Sequence, residues 1–406
     1  MAVDTREAAT PNTAAALQLI WKEGLISRAD MARRLDLSRS TVSAIVSELL
    51  TTKLIEEVGA GPSKGGRRPI LLEFQYGAFS ILGVDIGATH VAVALTNLKG
   101  EVEGWAQRAH KVRDDPKGTS ALVVELAEDC LAQLPKGSRR LVGVGVAVPS
   151  PVDPKHPDVL SEVVLPKWKG VRLTAELKAH FKVPVLLDND ANLGALAEHW
   201  WGAGRGIDDF VYVKVATGIG SGHIVAGKIY RGATGTAGEI GHMAIDQNGP
   251  QCICGLRGCL GTFIGTEALL RRTRELLDQG QKSQVVKASL TLGSVEAAAL
   301  AGDPLATQVV REAASRLGIA VASMLNLMNP AVVAIGGSLS KLGDLLLEPL
   351  RETVKRRTLA SSVAAASVVR SELGERDVAV GAATLVLDAA LADHRLFPAP
   401  PRGARK

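Results

Sequence analysis

Aromatic residues are scarce in this chain: Phe, Trp and Tyr together make up 3% of its 406 residues. Its cores must therefore be built from Ala, Val, Leu and Ile, for which a hydrophobic content of 46% is ample. Cysteine is rarer still. Of four cysteines, three fall in one short loop and Cys130 stands alone. That pattern excludes a disulfide scaffold and points to the reducing cytoplasm. No uncharged apolar run reaches the roughly 18 residues of a membrane-spanning helix. The opening MAVDTREAATPNT has no basic start followed by an apolar segment, so no secretory signal is expected. Net charge is also small, at +5. Its size says little about nucleic acid, and the placement of the basic residues matters more. A chain of this length holds two or three domains.

What is present is concentrated first in GEIGHMAIDQNGPQCICGLRGCLG, residues Gly238 to Gly261. Cys252, Cys254 and Cys259 follow His242, and one imidazole with three thiolates is a full tetrahedral set for structural Zn²⁺. Gly255 and Gly258 let a short chain fold back on the metal. Three cysteines buried in a core are the alternative, but Pro250 and Gly-Leu-Arg-Gly read as a loop.

The N-terminal part, residues 1–75, reads as a winged helix-turn-helix. Helices are expected over Asn12 to Glu23, Arg28 to Leu35 and Arg39 to Leu50, with Ser27 and Ser38 as caps. In the third, Val42, Ile45, Val46, Leu49 and Leu50 face inward. Arg39, Ser40, Thr41 and Ser43 sit at the end that a recognition helix presents to base edges. Two short strands, Leu54 to Val58 and Pro69 to Phe74, flank GAGPSKGGRRP, whose Lys64, Arg67 and Arg68 suit a narrow minor groove. A protein-interaction module with a basic linker is the alternative to operator DNA binding.

The main body alternates strands and helices. Ser80 to Gly87, His90 to Asn97, Arg140 to Val148, Val183 to Leu187, Asp209 to Val215, His223 to Ile229 and Ala331 to Ile335 read as strands, several of them buried. Asp85-Ile-Gly87-Ala-Thr89 can face a phosphate with backbone N–H groups and the Thr89 hydroxyl, while Asp85 holds Mg²⁺ through water. Thr217-Gly218-Ile-Gly220-Ser-Gly222 repeats that strand and glycine turn, which suggests two related halves closing on a cleft. At the mouth of another strand, Asn189 can bind two hydroxyls and Asp190 can take a proton from a hydroxyl that attacks a phosphoryl group. The alternative is that Asp188, Asn189 and Asp190 only cap a helix. A long helical stretch is expected over Val295 to Met328 and a final helix over Val378 to Ala392. The Pro- and Arg-rich tail, residues 393–406, is expected to be disordered.

His242 with Cys252-x-Cys254-Gly-x-x-Gly258-Cys259, Asn189-Asp190 and the glycine turns together resemble the ROK family (repressors, open reading frames and kinases) over residues 13–390. The resemblance implies an α/β fold: an N-terminal winged helix-turn-helix, then an actin-like, ribonuclease H-like domain with lobes over residues 76–200 and 201–392. It implies sugar contacts from Asn189, Asp190, Glu239 and His242, and an adenosine-side turn at Gly336 and Gly337. It also implies ATP and Mg²⁺ as cofactors beside Zn²⁺, with Asp190 as the catalytic base, if kinase chemistry is retained. One position departs from the family pattern: a sugar-binding Glu usually stands where this chain has Gly261, which leaves the identity of the sugar open. The expected function is a sugar-responsive transcriptional regulator, acting as a homodimer or homotetramer on operator DNA. The alternatives are a sugar kinase with a DNA-binding module, or a non-catalytic sensor of a phosphosugar or protein partner.

Overall fold

The computed structural model describes residues 10–60, 68–134, 140–359 and 366–399. It begins with α1 (Pro11–Glu23), β1 (Leu25–Ser27), α2 (Arg28–Leu35), α3 (Arg39–Thr52), β2 (Ile55–Ala60) and β3 (Ile70–Phe74). Each helix starts on a hydroxyl that accepts a backbone N–H. Thr10 takes that of Thr13, Ser27 that of Asp30 and Ser38 that of Thr41, which satisfies one otherwise orphaned donor per helix. The three strands form a small antiparallel sheet in the order β1-β3-β2. The wing tip with Lys64 and Arg67 lies outside the described residues.

This module shares one core with the body behind it. Ala16, Leu17 and Ile20 of α1 and Val42, Ile45, Val46 and Leu49 of α3 are buried in one cluster with Phe79, Ile81, Leu98, Val142, Val386 and Leu387. Each such Leu, Ile or Val contributes about 1.5–3 kcal/mol by leaving water. Polar bonds tie the two parts further. Trp21 Nε1 donates to the Leu98 carbonyl at 2.9 Å, Tyr76 Oη to the Trp21 carbonyl at 2.5 Å, and Arg140 Nη2 to the Thr52 carbonyl at 3.1 Å. The tail also departs from expectation. Up to residue 399 it is packed: Phe397 is buried against Phe79 with ring centroids 5.1 Å apart, Arg140 donates to the Pro398 carbonyl, and His394 Nε2 meets Glu48 Oε1 of α3 at 2.8 Å. An aromatic ring and two polar contacts outweigh the proline-rich composition there.

The body follows as β4 (Phe79–Ile86), β5 (His90–Thr96), β6 (Val102–Ala109), α4 (Pro116–Leu131), β7 (Arg140–Val148), α5 (Leu173–Phe181), β8 (Val185–Asn189) and α6 (Asp190–Trp201). Then come β9 (Phe210–Val215), β10 (Ile219–Val225), β11 (Lys228–Ile229), α7 (Gly261–Ile264), α8 (Thr266–Asp278), α9 (Leu292–Leu300) and α10 (Pro304–Met328). The last elements are β12 (Val332–Gly336), α11 (Asp344–Arg357), β13 (Ser367–Arg370) and α12 (Asp377–Ala392). The strands make two sheets with one topology, β6-β5-β4-β7-β8 and β11-β10-β9-β12-β13. In each, an antiparallel meander is extended by two parallel strands. The repeated strand-and-glycine turn in the sequence thus has a repeated fold behind it. The stretch Val295 to Met328 divides in two, because Asp303 caps a new helix whose first residue is Pro304. His223 lies inside β10, which begins four residues earlier at Ile219, so Gly220 and Gly222 are strand residues and not turn residues.

The lobe boundaries also differ from a simple cut near residue 200. Helix α12 leaves the second sheet and packs on β4 and β7 of the first, while α6 packs on β9 and β10 of the second. Both helices are buried along nearly their whole length, so neither can lie on a surface. Close approach needs glycine: a Cβ on Gly145 would stand 1.8 Å from the Ala382 carbonyl oxygen, and one on Gly222 2.3 Å from that of Ala191. No helix among the described residues is long and apolar enough to cross a membrane.

Candidate functional site

Side chains near the C-terminal ends of β4, β8 and β9 come together between the sheets, where Lys214 of β9 bonds Asp190 and acts on Asp85. At the end of β8, Asp188 is buried and its Oδ2 accepts from Arg231 Nε at 2.8 Å and Nη2 at 2.6 Å. Asn189 is the N-cap of α6: its Oδ1 accepts from the N–H groups of Ala191 and Asn192 at 2.9 and 3.2 Å, and its Nδ2 donates to the Ser150 carbonyl at 3.2 Å. The capping role weighed from the sequence is therefore real. The two accepted bonds use both lone pairs of Oδ1, and one N–H of the amide remains for a ligand. Asp190 Oδ2 accepts from Lys214 Nζ at 2.7 Å.

At the end of β4, Asp85 is buried, and its Oδ2 is 3.2 Å from His90 Nε2 while Oδ1 has no partner. Burial works to raise its pKa, but the Lys214 ammonium and His90 outweigh burial and hold it below the usual range. Burial would likewise depress Lys214, but Asp190 and Asp85 hold its ammonium well above the normal value. The phosphate cradle expected at Gly87 is filled. Its N–H donates to the His90 carbonyl at 3.0 Å, and the His90 ring lies so close that a Cβ on Gly87 would stand 2.3 Å from it. Thr89, Thr217 and Gly218 are exposed at their turns. Gly220 lies in β10 against Ala191, and Gly336 and Gly337 press on Tyr212 and on the Val215 backbone. Close packing thus explains these last three glycines without a ligand.

The loop after β11 brings its four candidate ligands together. His242 Nδ1 and the sulfurs of Cys252, Cys254 and Cys259 all lie within 4.8 Å of one another. The Cys252 Sγ to His242 Nδ1 distance is 3.6 Å and Cys254 Sγ to Cys259 Sγ is 3.7 Å. A tetrahedron with metal–sulfur bonds of about 2.3 Å and metal–nitrogen bonds of about 2.0 Å has edges of roughly 3.6 and 3.8 Å, so the donor set fits a metal. Glycine is needed here: Gly258 has φ +68°, and a Cβ on it would stand 1.5 Å from the Asp246 carbonyl oxygen. His242 Nε2 is left free, 3.8 Å from Glu239 Oε2. Burial, with the charge of Asp190 adding to it, pushes the Glu239 carboxyl up to about 7. The metal loop and the Asn189-Asp190 pair therefore share one electrostatic environment. Gly261 packs against the backbone next to His242, where a Cβ on it would meet the Gly241 carbonyl oxygen at 3.3 Å.

On the winged helix, Arg39, Ser40, Ser43 and Arg68 are exposed. Thr41 is half-buried, and its hydroxyl and that of Ser40 bond to the Ser38 hydroxyl at 2.8 Å each. Sequence reasoning missed Lys214, His90 and Arg231. For Lys214 a signal existed: it is the one charge in the otherwise apolar strand FVYVKV, and such a residue needs a buried partner.

A model described as the ROK family matches residues 81–389, and one described as a winged helix-turn-helix DNA-binding domain matches residues 13–56. The xylose repressor of Caldicellulosiruptor bescii is 34% identical over 375 residues, which cover 91% of this chain and 94% of that protein. Among solved structures, a ROK family transcriptional regulator described as a homolog of the E. coli MLC protein aligns with a TM-score of 0.78 at 26% identity, over 95% of this chain and 97% of its own. A ROK family glucokinase from Streptomyces griseus, in complex with glucose and AMPPNP, aligns with a TM-score of 0.66 at 28% identity, over 75% of this chain and 98% of its own.

Proposed function

The chain belongs to the ROK family, and from that premise we propose that it is a sugar-responsive transcriptional repressor. In this reading the winged helix binds operator DNA with Arg39, Ser40, Thr41 and Ser43 in the major groove, and with Lys64, Arg67 and Arg68 along the adjacent backbone or minor groove. A sugar lies at the mouth of β8, where Asn189, Asp190, Glu239 and His242 take its hydroxyls. The similarity to a named xylose repressor supports the class of effector.

The observation that carries this reading is the continuity from cleft to DNA-binding module. Helix α6 begins on Asn189 and ends on Trp200 and Trp201, which pack against Trp21 of α1. A sugar that pulls on the N-terminus of α6 thus acts on one end of a helix whose other end touches the winged helix. If the sugar prefers one position of α6, it must change DNA affinity, and DNA must change sugar affinity by the same factor. A homodimer on a two-fold operator would turn a small rotation into a change of half-site spacing.

His242, Cys252, Cys254 and Cys259 are read as a structural Zn²⁺ site. Bound there, Zn²⁺ would fix the ring and tautomer of His242, leaving Nε2 to donate to a sugar hydroxyl. The test is an electrophoretic shift with DNA upstream of the chain's own gene and neighbouring operon, with and without a panel of pentoses, hexoses and amino sugars. Binding that one sugar weakens is the expected result. DNA binding indifferent to every sugar would overturn the reading.

A further inference from the structure

The glucokinase that this chain resembles was solved with a nucleotide analogue, and the corresponding cleft here can be tested for the same group. ATP with Mg²⁺ does not fit the residues present. The carboxylate that would approach a divalent cation, Asp85, has Oδ2 on His90 at 3.2 Å and only the buried Oδ1 unpartnered, and the His90 ring covers Gly87 in the turn that would cradle a phosphate. The carboxylate that would take the hydroxyl proton, Asp190, has Oδ2 on the Lys214 ammonium at 2.7 Å. That ion pair stabilises the ionised carboxylate and makes it a weaker base toward a hydroxyl proton. A divalent cation arriving here would meet a fixed ammonium that is bonded to Asp190 and whose charge also acts on Asp85.

We propose that Lys214 is a built-in cation that stands in for the metal–nucleotide charge, fixing Asp190 as a hydrogen-bond acceptor so that the cleft takes its sugar with neither nucleotide nor divalent cation. The inference deepens the repressor reading and rests on it for the sugar. Lys214 is a positioning residue, because it acts through Asp190. Three features carry the assignment. Its side chain is largely buried, so its charge is not a solvated accident. Its strand partner in β10 is Gly220, which presents no side chain against it. Its electrostatic neighbours include Asp85 and Asp377 as well as Asp190, so one ammonium serves several carboxylates. Asp377 also accepts from Tyr212 Oη at 2.5 Å, and Lys214 is the one charged residue of β9.

The experiment uses the full chain with its zinc loaded. Mn²⁺, with and without AMPPNP, is titrated in and the free Mn²⁺ signal followed by electron paramagnetic resonance, for wild type, Lys214→Arg and Lys214→Thr. Wild type and Lys214→Arg are expected to leave the Mn²⁺ signal unchanged into the millimolar range. Lys214→Thr is expected to bind Mn²⁺ at least about tenfold more tightly, displaced by Mg²⁺. In parallel, sugar affinity should be unchanged by Mg²⁺ and AMPPNP in wild type, kept in Lys214→Arg and lost at least about tenfold in Lys214→Thr. Tight Mn²⁺–AMPPNP binding by wild type would overturn the proposal, as would a Lys214→Thr protein that behaves as wild type in both assays. If Lys214→Thr does not fold, Lys214→Met keeps the buried stem, and the wild-type titration decides without any variant. The Mn²⁺ measurement needs no sugar, so failure of the sugar reading and failure of the Lys214 assignment give different results.

Discussion

Trp21 packs on Trp200 with ring centroids 5.2 Å apart and planes inclined at 51°. One ring belongs to the first helix of the DNA-binding module and the other to the last turn of the helix that starts in the cleft. At about 1.5 Å per residue, α6 spans its twelve residues in roughly 18 Å, so the two sites are joined by one rigid element.

Trp21→Leu keeps an apolar side chain but loses the aromatic contacts and the bond to the Leu98 carbonyl. Sugar binding and DNA binding should each persist, while the factor by which sugar weakens DNA binding falls towards one. Coupling energies of this kind are about 1–3 kcal/mol. A four-corner titration of DNA with and without sugar measures it, and an undiminished factor would show that the signal takes another route.

Cys254→Ser removes one of four converging donors. Metal content by mass spectrometry should fall from about one per chain to well below it, and sugar affinity should drop at least about tenfold as the His242 ring loses its anchor. Thermal unfolding should shift down in the same preparation. Full metal content in the variant would mean that the sulfur is not a ligand.

Arg39→Ala and Arg68→Ala should differ in kind. If Arg39 reads a base edge, its loss should weaken operator binding by about 5- to 100-fold and relax selectivity at one base pair. If Arg68 meets a phosphate, its loss should weaken all sequences alike and reduce the salt slope by about one. Identical profiles for both variants would contradict the division of labour.

Asn189 holds a cap and faces the cleft at once, and two substitutions separate these duties. Asn189→Ala should cost about 0.5–2 kcal/mol of stability through the lost cap as well as sugar affinity. Asn189→Asp keeps an accepting oxygen for the Ala191 and Asn192 N–H groups, so it should retain stability and lose sugar affinity through its missing donor. Urea titration and calorimetry on both variants read the two effects separately. Sugar affinity intact in Asn189→Asp would leave Asn189 as a cap alone.

Gly145→Ala would put a methyl group 1.8 Å from the Ala382 carbonyl oxygen. Overpacking of this kind costs about 1–3 kcal/mol or more, and here it must push α12 off the first sheet. A lower urea midpoint at unchanged zinc content is expected. An unchanged midpoint would mean that α12 is free to shift.

Much of this architecture could be read in one dimension. The caps Ser27 and Ser38, the apolar spacing of Val42, Ile45, Val46 and Leu49, and the buried runs of β4, β7 and β9 all follow from local rules of period and capping. The candidate ligands His242, Cys252, Cys254 and Cys259 were legible for the same reason: they are close in sequence, with glycines among them. Short strands such as β1 and β13 were not, because three or four residues carry no period and their pairing is decided by a distant partner.

Local rules along the chain are enough to specify its local units: which helices form, which strands are buried, and which four side chains could meet in one loop. How those units answer to one another emerges only on folding. Folding placed the tail on α3 through His394 and Glu48, put α12 on the sheet of the opposite lobe, and set Lys214 against Asp190 across the cleft. The physical reason is the same in each case. A cap or a metal loop draws on interactions within a few residues, whereas a buried ammonium or an all-round apolar helix has no local partner and takes its place from whichever distant group satisfies it.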